Sequence, residues 1–164
     1  MSPGTAPILV AACGNAMAGD DIFGHLVVER LKTAPAPNIE VIELGANPAR
    51  LIDRLADRDT LFVVDAAWFP DEGTGRLIDV DWFDPDRPPL MSESLLSTHG
   101  LSIADQLNLA RRLDLLPSIV RLIAVTIGGA AVGDAVDTAL RASADAAADI
   151  VRRRAARLEE PSHA

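Results

Sequence analysis

The chain reads as an α/β protein with parallel strands, and three observations lead there. Residues 7–64 alternate short apolar runs with amphipathic ones in the order strand, helix, strand, helix, strand. A glycine-bearing turn that starts at Cys13-Gly14 separates the first apolar run from the first amphipathic one. A strongly apolar run, 119–127, precedes a long helical pattern over 134–157. Repeated βαβ units with short connections predict parallel strands joined by right-handed crossovers. Open sheets of this kind place their sites beyond the carboxyl ends of the strands.

Residues 7–13 read as a buried strand and 21–33 as the first helix, with Ile22, Phe23, Leu26, Val27 and Leu31 on one side. Ala34-Pro35-Ala36-Pro37-Asn38 stops that helix and turns the chain. Residues 39–44 alternate apolar and acidic side chains, as expected near a sheet edge. Asn47 is placed to cap a second helix that starts at Pro48 and carries Leu51, Ile52 and Leu55. Residues 61–64 form a third strand, with Asp65 directly after it. If the strands run in the order 2-1-3, Asp21 and Asp65 face one cleft. Residues 75–80 read as a short strand, antiparallel at an edge. The flanking pairs Trp68-Phe69 and Trp82-Phe83 are most simply core or loop anchors; a docking patch for a partner is the sharper alternative.

A helix follows His99-Gly100, starting anywhere from 99 to 103, with Ser102 and Asp105 able to form a capping pair and Leu101, Ala104, Leu107 and Leu109 among its apolar positions. In the last helix, Ala135, Val136, Ala139, Leu140, Ala144, Ala147 and Val151 fit the buried side. Arg152, Arg153, Arg154 and Arg157 sit in its final turns, where positive charge suits the helix dipole. One domain, 1–164, is expected, with 158–164 as a flexible tail.

Composition narrows the function. Hydrophobic residues make up 49% of the 164, against 24% charged, so the chain can build a substantial core. Fifteen Lys and Arg against 24 Asp and Glu give a formal charge of −9. That disfavours nucleic acid and anionic membranes as partners. No apolar run reaches the ~18 residues of a membrane span. Nothing at the start resembles a signal peptide, and the lone Cys13 allows no internal disulfide. A cytoplasmic address follows as the expectation.

Several chemistries lack their residues. No GxGxxG follows the first strand, and there is no Walker lysine, GxSxG, HExxH or paired CxxC. Cys13 with His99 could be imagined as a nucleophile pair, but a thiol closing an apolar strand is usually buried and inert. Asp21, Asp65 and His99 remain, each beside a regular element at what reads as one sheet edge. Two carboxylates and an imidazole suit a divalent transition metal of intermediate hardness with positions left open. Taken on spacing alone, the three also read as ordinary capping and hydrogen-bonded groups at loop ends. Asp20 reads as the cap of the first helix. His25, four residues after Asp21, reads as a surface histidine, with an auxiliary ligand as the alternative.

The stretch Gly14-Asn15-Ala16-Met17-Ala18-Gly19-Asp20-Asp21-Ile22-Phe23-Gly24 resembles the GNxLxxDDGxG signature of the hydrogenase maturation endopeptidases. Asp65 followed by Ala66 is similar to that family's second conserved aspartate, and Thr98-His99 to its third motif. The order and approximate spacing match across nearly the whole chain. The resemblance implies a three-layer sandwich: a twisted, mostly parallel five-stranded sheet with one antiparallel edge strand and helices on both faces. It implies an endopeptidase that removes the C-terminal extension of a nickel–iron hydrogenase large-subunit precursor once nickel is inserted. It also implies that Asp21, Asp65 and His99 contact the nickel, which arrives with the precursor, so the free enzyme need hold no metal. We expect a monomer. A non-catalytic relative that binds the precursor or its metal is the alternative within the family. An unrelated hydrolase using Cys13 is the alternative outside it. Ile22 stands where the signature has glycine, Gly45-Ala46 replaces a Gly-Thr or Gly-Ser step, and 128–133 is short and glycine-rich where the family often carries a proline-bearing loop.

Overall fold

The computed structural model describes residues 5–14, 22–45, 47–69, 71–90, 102–128 and 134–159. Five strands form one sheet: β1 (Ile8–Cys13), β2 (Ile39–Gly45), β3 (Thr60–Trp68), β4 (Leu77–Asp81) and β5 (Ile119–Ile127), in the order β2-β1-β3-β5-β4. All neighbours are parallel except β4, which runs antiparallel to β5 at the edge. The 2-1-3 order and the antiparallel edge strand both agree with the sequence reading.

Because successive strand residues point to opposite faces, the apolar strands feed two cores. Val10, Phe62, Val64, Ile123 and Val125 face the helices α1 (Ile22–Thr33) and α3 (Asp134–Glu159). Phe23, Val27 and Leu31 of α1 meet Leu140, Ala144, Ala147 and Val151 of α3 there. Leu9, Ala11, Leu61, Val63, Leu122 and Ala124 face the other way, toward Ile103, Leu107 and Ala110 of α2 (Ile103–Arg112). Leu51 and Leu55 complete that second core.

Several expectations change. Residues Pro48–Arg54 form a 3-10 helix, and Asn47 makes no side-chain cap bond. So short a segment is held by burial of Leu51 and Leu55, not by helix propensity. β3 runs past Asp65 to Trp68, so Asp65 lies inside the strand. β4 is shifted to Leu77–Asp81. On α2 the inward positions are Ile103, Gln106, Leu107 and Ala110, and Leu109 is exposed. α3 continues to Glu159, so Leu158 and Glu159 belong to the helix instead of the expected tail; 160–164 lie outside the described residues. Trp82 is buried under the Arg87 guanidinium, 4.2 Å from its ring, which suits an anchor. Trp68 and Phe83 are exposed.

The outer strand β2 is charged along its length. Glu40 pairs with Arg54 and Arg58, and Glu43 with His25. At the opposite edge, Asp79 of β4 accepts from Arg121 Nε and from Arg154 Nε, 2.8 Å each. Arg154 therefore ties the end of α3 to the edge strand, beyond any role in the helix dipole.

Two local features carry predictions. A Cβ added at Gly24 would lie 2.4 Å from the Cys13 carbonyl oxygen, so only glycine lets α1 approach the end of β1 this closely. Gly24→Ala should lower stability by about 1–3 kcal/mol, read from the denaturant midpoint. At α2, Ser102 Oγ accepts from the Asp105 N–H, and the Asp105 carboxylate accepts from the Ser102 N–H at 2.9 Å. The Ser102 hydroxyl and N–H bonds hold the Asp105 carboxyl below its ordinary value of 3.8. A depressed carboxylate pKa adds stability that is fully present above the unfolded value and fades as pH falls through the folded one. Protection factors of the amides in the first turn of α2, taken relative to intrinsic exchange at each pH, should therefore fall below about pH 4, and Asp105→Asn should remove most of that acid dependence.

Candidate functional site

Asp65 is a carboxylate in the middle of an apolar strand, 1% exposed. Its place follows from strand lengths. The last β1–β3 pair is Ala12 with Val64, whereas β3 stays paired with β5 from Thr60 to Trp68. Asp65 is thus the first β3 residue beyond the reach of β1. By alternation its side chain shares the α2 face with Val63 and Ala67, and its partner across β5 is Ala124. The Ala66 N–H donates to Asp65 Oδ1 at 2.7 Å. Burying a carboxylate is costly unless other groups compensate it, which makes such a position a candidate for function.

The described residues around it converge on the same end of the sheet. Leu90 bridges Ala67 antiparallel, occupying the flank of β3 that β1 leaves open. Gly14, after β1, has φ 102°, in the region that favours glycine. Asp21 and His99 lie outside the described residues, so of the three candidate ligands the structure locates Asp65. Among the described residues no three His, Cys, Asp or Glu side chains cluster as a metal site would require.

On the β5 side, a threonine that the sequence reading did not single out fixes the adjoining loop. Thr126 is fully buried, and its Oγ1 donates to the Gly73 carbonyl at 2.8 Å and accepts from the Arg76 N–H at 3.0 Å. The Gly75 N–H reaches the Thr126 carbonyl at 2.9 Å. The next glycine, Gly128, packs so tightly under the turn at 69–72 that a Cβ would fall 1.8 Å from the Glu72 carbonyl oxygen. The sequence signal for this support was a hydroxyl near the end of an apolar strand, followed by glycines.

Two other candidates resolve. His25 Nδ1 sits 2.6 Å from Glu43 Oε1 on β2, and its Nε2 lies 3.6 Å from Glu29. It belongs to the outer flank, two strands from Asp65, as a surface histidine would. Cys13 is buried within the α2-side core, which removes the exposure a nucleophile needs.

A sequence profile for the hydrogenase maturation proteases matches residues 25–152, most of the chain. The chain belongs to that family. The matched range holds Asp65 and His99 and starts after Asp21. A protein of Methanocaldococcus jannaschii, provisionally named a hydrogenase maturation protease, is 46% identical over 78 residues. That match takes in 45% of this chain and 51% of the relative, about half its length. The hydrogenase maturation protease HycI of Thermococcus kodakarensis has a similar solved structure, with TM-score 0.64, 26% identity, and coverage of 92% of this chain and 93% of that one. The hydrogenase maturating endopeptidase HybD of Escherichia coli shares the fold, with TM-score 0.65 at 22% identity over 90% and 93% of the two chains.

Thr126→Val keeps the size of the side chain and removes both hydroxyl bonds. It should cost about 1–2 kcal/mol, measured by chemical denaturation, and should speed exchange of the Arg76 amide.

Proposed function

We propose that this protease removes the C-terminal extension of a nickel–iron hydrogenase large-subunit precursor after nickel insertion, acting as a monomer in the cytoplasm. Family membership supports a peptidase. The observation that carries the finer reading is the buried Asp65 carboxylate, beyond the end of β1 at the carboxyl side of a parallel sheet.

In this reading Asp21, Asp65 and His99 are both the catalytic residues and the contacts to nickel, which is part of the substrate. Two carboxylates and an imidazole are too few for a permanent closed site, yet they suit an ion whose other ligands come from the precursor. Burial strengthens the interaction of the Asp65 carboxylate with an arriving cation, because little water screens it. The ion would mark a loaded precursor and draw electron density from the scissile carbonyl. The resident residues would hold it in register with the bond to be cut. In the sequence the glycine-rich segment 128–133 follows β5 and stands where the family often carries a proline-bearing loop, so it is where precursor choice would differ.

The test is cleavage of nickel-loaded precursor, followed by mass spectrometry of the new C-terminus. Wild type should trim it. Asp21→Ala, Asp65→Ala and His99→Ala should each slow cleavage by about 100-fold or more, and Asp65→Asn should do so while melting cooperatively. Undiminished cutting by both aspartate variants would refute these roles. Inactivation by Cys13→Ser with retained activity of the Asp65 variants would point to a different hydrolase.

A further inference from the structure

The arginine-rich end of α3 borders a cleft at the amino end of the sheet, opposite to Asp65. This cleft, about 110 Å3, lies between Thr60, Phe62 and Ile119 of the sheet and Arg154, Arg157 and Leu158 of the helix. Thr60, Ile119 and Leu158 also wall a wider cavity of about 290 Å3 that reaches Asn38, Asp59 and Ser118.

Three features point to a ligand. The first is Thr60, 1% exposed, whose Oγ1 has no hydrogen-bond partner among the described residues. A buried hydroxyl left without a partner is destabilising, and such groups are rare in folded proteins. Thr60 lies two residues before Phe62 on β3, so both face α3. The second is charge. Asp79 engages Arg121 and Arg154 through its two carboxylate oxygens. Arg157 makes no ion pair among the described residues, and Arg121 also lines the cleft. A chain with formal charge −9 thus brings three arginines to one cleft, and Asp79 neutralises only two of them directly. The third is the character of the wider cavity. Asn38 and Ser118 offer hydrogen bonds to hydroxyl groups, and the Asp59 carboxylate there disfavours a second anionic group.

We propose that this cleft binds a small phosphomonoester with a hydroxyl-bearing body. The phosphate sits between Arg154 and Arg157 and accepts from the Thr60 hydroxyl, and the body enters the wider cavity. Guanidinium groups suit phosphate oxygens because their paired N–H donors match the geometry. The site lies at the edge away from Asp65, so it neither requires the cleavage reaction nor contributes to it.

The experiment titrates the full chain with glucose 6-phosphate, inorganic phosphate and glucose at constant ionic strength, using calorimetry and backbone amide shifts. Glucose 6-phosphate should bind saturably and move the amides of Thr60, Ile119 and Arg157. Inorganic phosphate should bind more weakly, and glucose should not bind. Arg157→Gln and Thr60→Val should each weaken binding by about tenfold. Thr60→Val should also raise the melting temperature without ligand, since it deletes the unpartnered hydroxyl. A merely structural Thr60 would give that rise with no loss of affinity. Absence of saturable binding by either phosphate probe, or equal affinity in wild type and both variants, would overturn the proposal. Equal affinity for the two phosphate probes would overturn the part assigned to the wider cavity.

Discussion

The arrangement depends on unequal strand lengths in a parallel sheet. β1 stops pairing with β3 at Ala12 and Val64, while β3 and β5 continue together to Trp68 and Ile127. This leaves a step in the carboxyl edge. One flank of β3 loses its backbone neighbour there, and Leu90 restores part of the pairing. Asp65 occupies the first position of the step, buried, with Ala124 opposite it on β5. A longer β1 would turn that position into ordinary sheet interior, where a carboxylate has no use.

Much of this was legible in the sequence because local pattern and tertiary structure agree. β5 spans Ile119–Ile127 as its apolar run suggests, and α2 starts at the Ser102–Asp105 cap that its spacing suggests. The disagreements share a cause. The sequence pattern ends β3 at Val64 because a charge interrupts the apolar run, but pairing with β5 carries the strand four residues further, to Trp68. It gave Asn47 a capping role, but burial of Leu51 and Leu55 selects a 3-10 turn. Leu109 reads as apolar and therefore inward, yet Gln106 takes the inward position. In each case a contact distant in sequence outweighed a local preference. For the candidate site, residue type and place beside an apolar run point to Asp65, and the structure puts that carboxylate buried inside β3. For Thr126 the sequence carries only a hydroxyl ahead of glycines, and its role is set by bonds to Gly73 and Arg76, distant in the chain.

Arginine serves as the fastener of this acidic molecule. Arg121 and Arg154 hold Asp79, so strand, helix and edge meet at one carboxylate. Arg152 reaches the Arg30 carbonyl at the end of α1 at 2.5 Å. Arg58 donates to the Ala6 carbonyl at 2.6 Å and pairs with Glu40, linking the start of β1 to β2. A planar group with several donors can bind a carboxylate and a carbonyl together, which a lysine does less well. With aromatics at only 4%, such polar links supplement an interior packed mainly from aliphatic side chains.

The charged outer strands bear on how this molecule meets extended polypeptide. An open ladder of backbone donors and acceptors tends to recruit any strand that comes near, including a second copy of itself. On β2 the glutamates are already clasped by arginines and a histidine from adjoining segments, and β4 is short and acidic. Both rims therefore discourage indiscriminate β-pairing.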